Sequence, residues 1–241
     1  ETASITVNPT SGLTTTESGD TATFTVVLNT QPTDNVTIGI SSDTPTEGAV
    51  TSGASLIFTS GNWNVPQAVT IEGLDDDVDD GDIDYDINTH ASSPDPIYNA
   101  IDPSDVSVTN TDDDTAGVNV SAISGPTTEA GGTATFTVVL TSEPTDNVTI
   151  GLSSSDPGEG TVAPASLTFT TANWDTPQTV TVTGVDDDAT NGDIPYTIIT
   201  AVATSPDLNY HGINPENVSV INDDNETASI TVNPSSGLTT T

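Results

Sequence analysis

Short runs in which apolar and polar residues alternate recur along the chain, and this two-residue period is the pattern of a β-strand with one buried face. Pro, Gly, Asp and Asn separate the runs, and no segment has a convincing helical period. Seven short strands at this spacing predict an all-β fold, an immunoglobulin-like β-sandwich. In the first part of the chain the runs lie around residues 3–7, 24–28, 36–40, 56–58, 69–71, 83–87 and 106–108.

The whole pattern occurs twice, which predicts one kind of domain used in tandem. Residues 21–28 return as 133–140, and residues 32–39 return as 144–151. All aromatic residues fall into aligned pairs, as expected for core positions of a repeated domain. We therefore predict seven-stranded sandwiches at 1–114 and 115–225, arranged in an extended array. The aligned aromatic pairs are Phe24 with Phe136, Phe58 with Phe169, Trp63 with Trp174, Tyr85 with Tyr196 and Tyr98 with Tyr210.

The last part of the chain repeats the first part more closely than the second domain does. Residues 226–241 match residues 1–16 at every position except Thr10, which is replaced by Ser235. We expect 226–241 to contain the first strand of a third repeat, in a longer array that alternates two domain types with a period of 225 residues. Such an array would continue with Glu-Ser-Gly after Thr241, and Glu1 would be an internal cut of it.

The charge of the chain excludes several classes of partner. The sequence of 241 residues has 36 acidic residues and no Lys or Arg, for a formal net charge of -36. No side chain is therefore available to displace counterions from nucleic acid or to dock on anionic lipid. No apolar stretch approaches the ~18 residues of a membrane span. Cys and Met are absent, which fits an extracellular protein without disulfides.

The acidic residues are mainly aspartates, and they cluster where predicted strands end. The chain has 27 Asp and 9 Glu, and eight of the aspartates lie within residues 75–86. Both copies have an Asp triplet, a later Gly-Asp pair and a cluster at the domain end, Asp112–Asp114 and 223–225. Adjacent loop carboxylates are typical ligands of calcium, which takes six to eight oxygens. A solvated acidic surface, as in salt-adapted proteins, is the alternative, but that adaptation would spread the charge over every exposed face.

At these residues the chain resembles the Calx-beta domains of sodium–calcium exchangers and giant surface proteins. The family opens with Glu, a short spacer and Gly before a strand that ends in Leu, as at Glu17–Gly19 and Glu129–Gly131. The resemblance implies a seven-stranded sandwich whose opening Glu, Asp triplet and closing cluster meet at one end to hold several calcium ions. The stretches 62–67 and 173–178 are similar to repeats of large bacterial surface proteins.

The residue pattern and the resemblance together select fifteen candidate calcium ligands. The acidic residues Glu47 and Glu159 lie in other loops and are less favoured. The candidate ligands are Glu17, Asp75, Asp76, Asp77, Asp82, Asp112, Asp113, Asp114, Glu129, Asp186, Asp187, Asp188, Asp193, Asp223 and Asp224.

We predict a calcium-stiffened structural shaft of an extracellular tandem-repeat adhesin or surface fibre, whose partners are the neighbouring repeats of the same chain. One alternative is a calcium-dependent adhesive module that binds glycan or another surface. Another is the subunit of a self-assembled extracellular filament, in which a strand at 228–232 pairs with a like subunit. An enzyme is not expected, because His90 and His211 do not align between the copies and the aromatic residues fit a core.

Overall fold

The computed structural model describes residues 2–233, 236 and 237. The chain divides into two compact units, Glu1–Thr115 and Ala116–Thr241. Both units are built from β-strands, and the described residues contain no α-helix and a single 3-10 turn, Tyr98–Ala100. The all-β prediction is confirmed.

The first unit packs a four-stranded sheet against a five-stranded sheet. The strand order is β1-β3-β7-β5 in one sheet and β2-β9-β8-β4-β6 in the other. Neighbouring strands are antiparallel except β2 and β9, which run parallel. The strands are β1 (Ile5–Asn8), β2 (Leu13–Thr16), β3 (Thr21–Leu28), β4 (Val36–Ser42), β5 (Gly48–Ser52), β6 (Ser55–Phe58), β7 (Gln67–Gly73), β8 (Ile83–Ser92) and β9 (Val106–Thr111).

The second unit repeats this topology strand for strand. Its sheets have the orders β10-β12-β16-β14 and β11-β18-β17-β13-β15, and β11 runs parallel to β18. Its strands are β10 (Val118–Val120), β11 (Thr127–Thr128), β12 (Thr133–Leu140), β13 (Val148–Ser154), β14 (Gly160–Ala163), β15 (Ser166–Phe169), β16 (Gln178–Gly184), β17 (Ile194–Thr200) and β18 (Val218–Asp223).

Each unit has its own core, formed by alternate residues of the two facing sheets. Phe24, Phe58 and Tyr98 are fully buried in the first unit, and their partners in the repeat are buried in the second. The Tyr98 hydroxyl donates to the carbonyl oxygen of Thr30 at 2.7 Å, so the buried phenol keeps a hydrogen-bond partner. Trp63 is only partly buried and packs on the rim of this core.

The described residues form nine strands in each unit, two more than the seven predicted. The additional strands of the first unit are β2, with the sequence LTTT, and β5, with the sequence GAVTS. Neither has the apolar alternation on which the prediction was based, because both are short and Gly, Thr or Ser takes most positions. Both matter for the acidic site, since each leads directly into or out of a glutamate.

Residues 227–233, expected to begin a third repeat, form no strand in the described structure. Ile230 is 92% exposed and Val232 is 67% exposed. In the first unit the same sequence pairs with β3, and the described residues contain no third strand of that kind. The third repeat stays a prediction, and residues 234, 235 and 238–241 lie outside the described residues.

Candidate metal centre

Three strand ends meet at one end of the first unit and bring distant acids together. Because β2 and β9 are parallel and pair Thr16 with Thr111, the next residues, Glu17 and Asp112, leave the sheet side by side. β7 of the other sheet ends at Gly73, where a Cβ atom would lie only 2.3 Å from the Thr16 carbonyl oxygen. Glycine at this position therefore lets β7, which leads into the Asp triplet, approach the other two strand ends.

A buried polar network lies directly beneath these strand ends. The Thr15 hydroxyl donates to Asn110 Oδ1 at 3.0 Å and lies 3.2 Å from the Tyr85 hydroxyl. Asn110 Nδ2 donates to the Leu74 carbonyl oxygen at 3.0 Å and to Glu47 Oε2 at 3.5 Å. These bonds connect the ends of β2, β8 and β9 and the loop after β7 into one hydrogen-bond network, called the floor below because it underlies the acidic residues.

The second unit reproduces this floor with equivalent residues. The Thr127 hydroxyl donates to Asn222 Oδ1 at 2.9 Å and lies 3.0 Å from the Tyr196 hydroxyl. Asn222 Nδ2 donates to the Val185 carbonyl oxygen at 3.0 Å and to Glu159 Oε2 at 3.4 Å. These threonines and asparagines were not among the predicted site residues, because they are uncharged and precede the acidic residues.

The first acidic cluster of unit 1 consists of Glu17, Asp112 and Asp114, each of which has a carboxylate oxygen within 4.8 Å of the others. Glu17 is only 3% exposed and accepts a hydrogen bond from the Asp113 amide at 3.2 Å. Asp112 accepts from the Asp114 amide at 2.7 Å and from the Gly81 amide at 2.6 Å. The backbone therefore holds these carboxylates close together.

A second cluster of unit 1 consists of Glu47, Asp76 and Asp80, again with carboxylate oxygens within 4.8 Å of one another. β5 pairs Gly48 with Gly73, which sets Glu47 across from Leu74, just before the triplet. The Leu74 amide donates to the Glu47 carbonyl oxygen at 2.9 Å. Glu47 is thus buried at the edge of the triplet loop, 7% exposed.

The cluster of unit 2 consists of Glu129, Asp224 and Glu226. Glu129 is 2% exposed and accepts from the Asn225 amide at 3.2 Å, as Glu17 accepts from Asp113. Asp224 accepts from the Glu226 amide at 2.8 Å and the Gly192 amide at 2.6 Å. Glu226 Oε2 is buried and has no hydrogen-bond partner in the described structure.

These hydrogen bonds correct the alignment of the two closing clusters by one residue. Asp224 corresponds to Asp112, Asn225 to Asp113 and Glu226 to Asp114, whereas the sequence reading matched Asp112–Asp114 with 223–225. Asp223 is instead the last residue of β18, and its carbonyl oxygen accepts from the Glu129 amide at 3.2 Å. A one-residue shift reverses the face on which a strand side chain lies, so this register decides which acids meet.

The structure brings together six of the fifteen predicted ligands in clusters: Glu17, Asp76, Asp112, Asp114, Glu129 and Asp224. It adds three residues that the prediction had omitted, Glu47, Asp80 and Glu226. Glu47 was missed because β5 is not visible in the sequence pattern. Glu226 was missed because it was assigned to the following repeat.

The other predicted ligands of the first unit lie beside the clusters. Asp75 and Asp77 are close enough to raise the pKa of the Asp114 carboxyl by repulsion. Asp82 Oδ1 accepts from the Asp112 amide at 3.2 Å, so it holds the backbone of the closing cluster. Asp113 presents its amide to Glu17 and is exposed.

Three of the other predicted ligands of the second unit make polar contacts with their own loop or with the closing residues. Asp186 Oδ1 accepts from Asn225 Nδ2 at 3.4 Å, and Asp193 Oδ1 accepts from the Asp224 amide at 3.1 Å. Asp187 accepts from Asn191 Nδ2 at 3.4 Å, and Asp188 is exposed. Asn191 stands where the first unit has Asp80, and no second acidic cluster is found among the described residues of this unit.

Crowding raises the pKa of several cluster carboxyls. Burial, with repulsion from Asp112 and Asp76, raises the pKa of Glu17 from 4.5 to about 7. Burial, with repulsion from Asp112 and Asp77, raises the pKa of Asp114 from 3.8 to about 6. The pKa of Glu226 rises from 4.5 to about 7, chiefly because its carboxyl forms a hydrogen bond with the Glu129 side chain, with burial as the next cause.

These shifts predict that the metal-free protein loses stability as the pH rises from about 5 to about 7. A carboxyl with a raised pKa binds a proton in the folded state that the unfolded chain has already released, so the free energy of unfolding falls through this window. Thermal melts in chelator should show this fall, and saturating calcium should offset it. Glu17→Gln should reduce the fall, whereas Glu216→Gln, at an exposed position outside the clusters, should leave it unchanged. An equal fall in both variants would contradict the assignment to Glu17.

The donor set fits a hard divalent cation. The clusters offer carboxylate oxygens, and neighbouring loops offer carbonyl and amide oxygens, which calcium prefers at high coordination number. The chain has no Lys or Arg, so no basic side chain of its own can neutralise the packed carboxylates. Protons or bound cations can do so, and the protons are lost as the pH rises through the raised pKa values of about 6 to 7.

Comparisons with known proteins give no family assignment. No protein-family model matches the chain, and no curated protein matches it. The described residues contain no helix long and apolar enough to cross a membrane.

Solved structures with a similar fold include calcium-binding and surface-layer proteins at low identity. CBD12 from CALX1.2 is 16% identical, with a TM-score of 0.39, over 91% of this chain and 99% of that one. The apo form of the Calx CBD1 domain is 20% identical, with a TM-score of 0.33, over 47% of this chain and 100% of that one. Domains 4 and 5 of the S-layer protein SbsC are 14% identical, with a TM-score of 0.33, over 78% of this chain and 75% of that one. At these values the likeness is one of β-rich architecture, and the site has to be judged by its own residues.

Proposed function

We propose that both units bind calcium at their acidic ends and that the chain is a calcium-stiffened shaft segment of an extracellular repeat protein or surface fibre. The observation that carries the proposal is the burial of Glu17, Glu47 and Glu129 beside further carboxylates, in a chain without Lys or Arg. Two like charges ~4 Å apart repel by about 1 kcal/mol in water and by several times more near a protein surface. A bound divalent cation reverses the sign of that interaction.

In the first unit, Glu17, Asp112 and Asp114 would hold one cation, and Glu47, Asp76 and Asp80 a second. In the second unit, Glu129, Asp224 and Glu226 would hold a third. Calcium would neutralise the carboxylates of each cluster directly, without a basic side chain from elsewhere in the protein.

The stiffening role rests on where the closing residues lie along the chain. Asp114 belongs to the first cluster of unit 1 and directly precedes Thr115, the last residue of that unit. A cation bound to Glu17, Asp112 and Asp114 would fix the backbone immediately before the second unit begins. Without the cation, repulsion within the cluster would loosen the same residues. Unit 2 has the equivalent arrangement, with Glu226 directly before residues 227 and 228.

Calcium binding is tested by calorimetric titration of the full chain. We expect Glu17→Gln and Glu129→Gln each to lower the calcium affinity of its own unit by about tenfold or more, since even outer-shell changes at metal sites cost 10- to 100-fold. Glu216→Gln makes the same change of charge at an exposed residue outside the clusters and should titrate like the native chain. Titration curves of Glu17→Gln and Glu129→Gln that coincide with the native curve would rule out these sites.

The shaft role needs a separate measurement. Small-angle scattering should give a longer and more uniform particle in calcium than in chelator. If the maximum dimension were the same in both conditions while calcium still bound, the stiffening role would be refuted. The proposed calcium sites would not be affected by that result.

A further inference from the structure

The loop after the Asp triplet contains an Asn-Gly pair in unit 2 where unit 1 has an Asp-Gly pair. Unit 1 has Asp80 followed by Gly81, and unit 2 has Asn191 followed by Gly192. No other Asn-Gly pair occurs in the sequence. An asparagine before glycine is prone to deamidation, because glycine has no side chain that would hinder attack of its amide nitrogen on the asparagine carboxamide.

The two acids that accompany Asp80 in its cluster have close equivalents in unit 2. Glu159 corresponds to Glu47, since they are 9% and 7% exposed and accept from an asparagine of the floor at 3.4 Å and 3.5 Å. Asp187 corresponds to Asp76, since each accepts from the amide two residues later, at 2.6 Å and 2.8 Å. Unit 2 therefore holds two of the three acids of that cluster in the same settings.

Asn191 occupies the place of the third acid. Its Nδ2 donates to Asp187 Oδ2 at 3.4 Å, so its carboxamide lies beside the acid that corresponds to Asp76. Asparagine and aspartate have the same shape and differ only in that an oxygen replaces the NH2 group. A carboxylate at residue 191 would therefore stand beside Asp187 without a rearrangement of the loop, as Asp80 stands beside Asp76 in unit 1.

The backbone at Gly192 leaves room for the reaction. The Gly192 amide donates to Asp224 Oδ2 at 2.6 Å, so the proton that its nitrogen loses on attack already faces a carboxylate. Among the described residues, no atom lies within 4 Å of the place that a Cβ atom of Gly192 would take. Gly81 of unit 1 has the same free space. A succinimide ring therefore forms between residues 191 and 192 without displacing a neighbour.

We infer that Asn191 is a site of spontaneous deamidation and that the aspartate formed gives unit 2 the carboxylate that unit 1 has at Asp80. The Gly192 nitrogen bonds to Asn191 Cγ, the bond from Cγ to Nδ2 breaks, and Nδ2 leaves as ammonia with the proton from Gly192. Water then opens the ring at either carbonyl group and yields aspartate or isoaspartate, which adds one negative charge. The effect on calcium rests on the proposed function, whereas the modification itself does not.

Peptide mass spectrometry of the full chain tests the modification. During incubation at mildly alkaline pH we expect residue 191 to gain one mass unit before any other asparagine does, as a mixture of aspartate and isoaspartate that chromatography separates. Asn191→Gln is the matched control, because its longer side chain keeps the carboxamide but does not close the succinimide ring. If residue 191 kept its mass in the folded chain through an incubation that converts it in the denatured chain, the inference would be overturned.

A reciprocal pair of variants tests the consequence for calcium. In calorimetric titration, Asn191→Asp should bind one calcium ion more per chain than the freshly prepared native protein, and Asp80→Asn should bind one fewer. Asn64→Asp makes the same change of charge at an exposed residue outside the clusters and should bind as many ions as the native chain. The incubated native chain should move towards Asn191→Asp in proportion to its content of aspartate.

The two measurements separate this inference from the proposed function. An Asn191→Asp protein that binds no more calcium than Asn64→Asp would overturn the role of residue 191 in unit 2. If the native chain bound no calcium at all, the proposed function would fail, and a mass gain at residue 191 would still establish the modification.

Discussion

Chelation of calcium is expected to lower the midpoint of thermal unfolding of this protein by about 10 °C or more. A ligand that binds only the folded state at 100 times its Kd stabilises that state by about 2.7 kcal/mol. One kcal/mol shifts the midpoint of a domain of ~100 residues by about 4–8 °C. The physical reason is that the cation replaces repulsion among buried carboxylates with attraction. Differential scanning calorimetry of the full chain in calcium and in chelator measures the shift.

Ionic strength is the control for this first prediction. Sodium chloride screens exposed charges over a Debye length of about 10 Å at 0.1 M, but it does not supply a divalent ion to a buried cluster. Sodium chloride at matched ionic strength should therefore restore only a small part of the lost stability. If it restored the whole shift, the acidic ends would be a solvated, salt-adapted surface, the alternative left open by the sequence.

Replacing Gly73 by Ala is expected to destabilise unit 1 by about 3 kcal/mol and to weaken its calcium binding. The added Cβ atom would lie 2.3 Å from the Thr16 carbonyl oxygen, 2.5 Å from Asn110 Oδ1 and 2.9 Å from Thr15 Cβ. Overpacking costs about 1–3 kcal/mol. We expect a cost near 3 kcal/mol here, because the Thr16 carbonyl oxygen is a backbone atom and cannot move aside as a flexible side chain would. The strand ends that carry Glu17, the triplet and Asp112 would have to move apart.

Matched variants assign this second effect to the strand ends. Gly184→Ala should do the same to unit 2, because its Cβ atom would lie 2.2 Å from the Thr128 carbonyl oxygen. Gly61→Ala is the control, since its nearest atom would be the Thr59 hydroxyl oxygen at 3.8 Å. Calorimetry measures the unfolding midpoint of each of the three variants, and calcium titration measures its affinity. A Gly73→Ala protein that melts and binds calcium like Gly61→Ala would refute the close approach of the three strands.

The repeat and the opening glutamates were predictable because they depend on local sequence. Glu17 and Glu129 stand just before a strong apolar alternation, so their position relative to a strand is visible without the fold. Glu47 gives no such signal, because the strand after it, GAVTS, has little apolar alternation. It enters the site only through the pairing of Gly48 with Gly73, a contact between residues far apart in the chain.

The sequence by itself determined the all-β class, the internal repeat and the uncompensated negative charge. The reason is that strand period, self-similarity and the absence of Lys and Arg can all be read from the order and type of the residues. The tertiary structure decided which acids meet. Strand register placed Glu226 rather than Asp223 in the cluster of unit 2, because a shift of one residue moves a side chain to the opposite face of a strand. It also decided that residues 5–8 form an edge strand that buries Val7, since burial depends on a neighbouring strand that the segment itself does not encode.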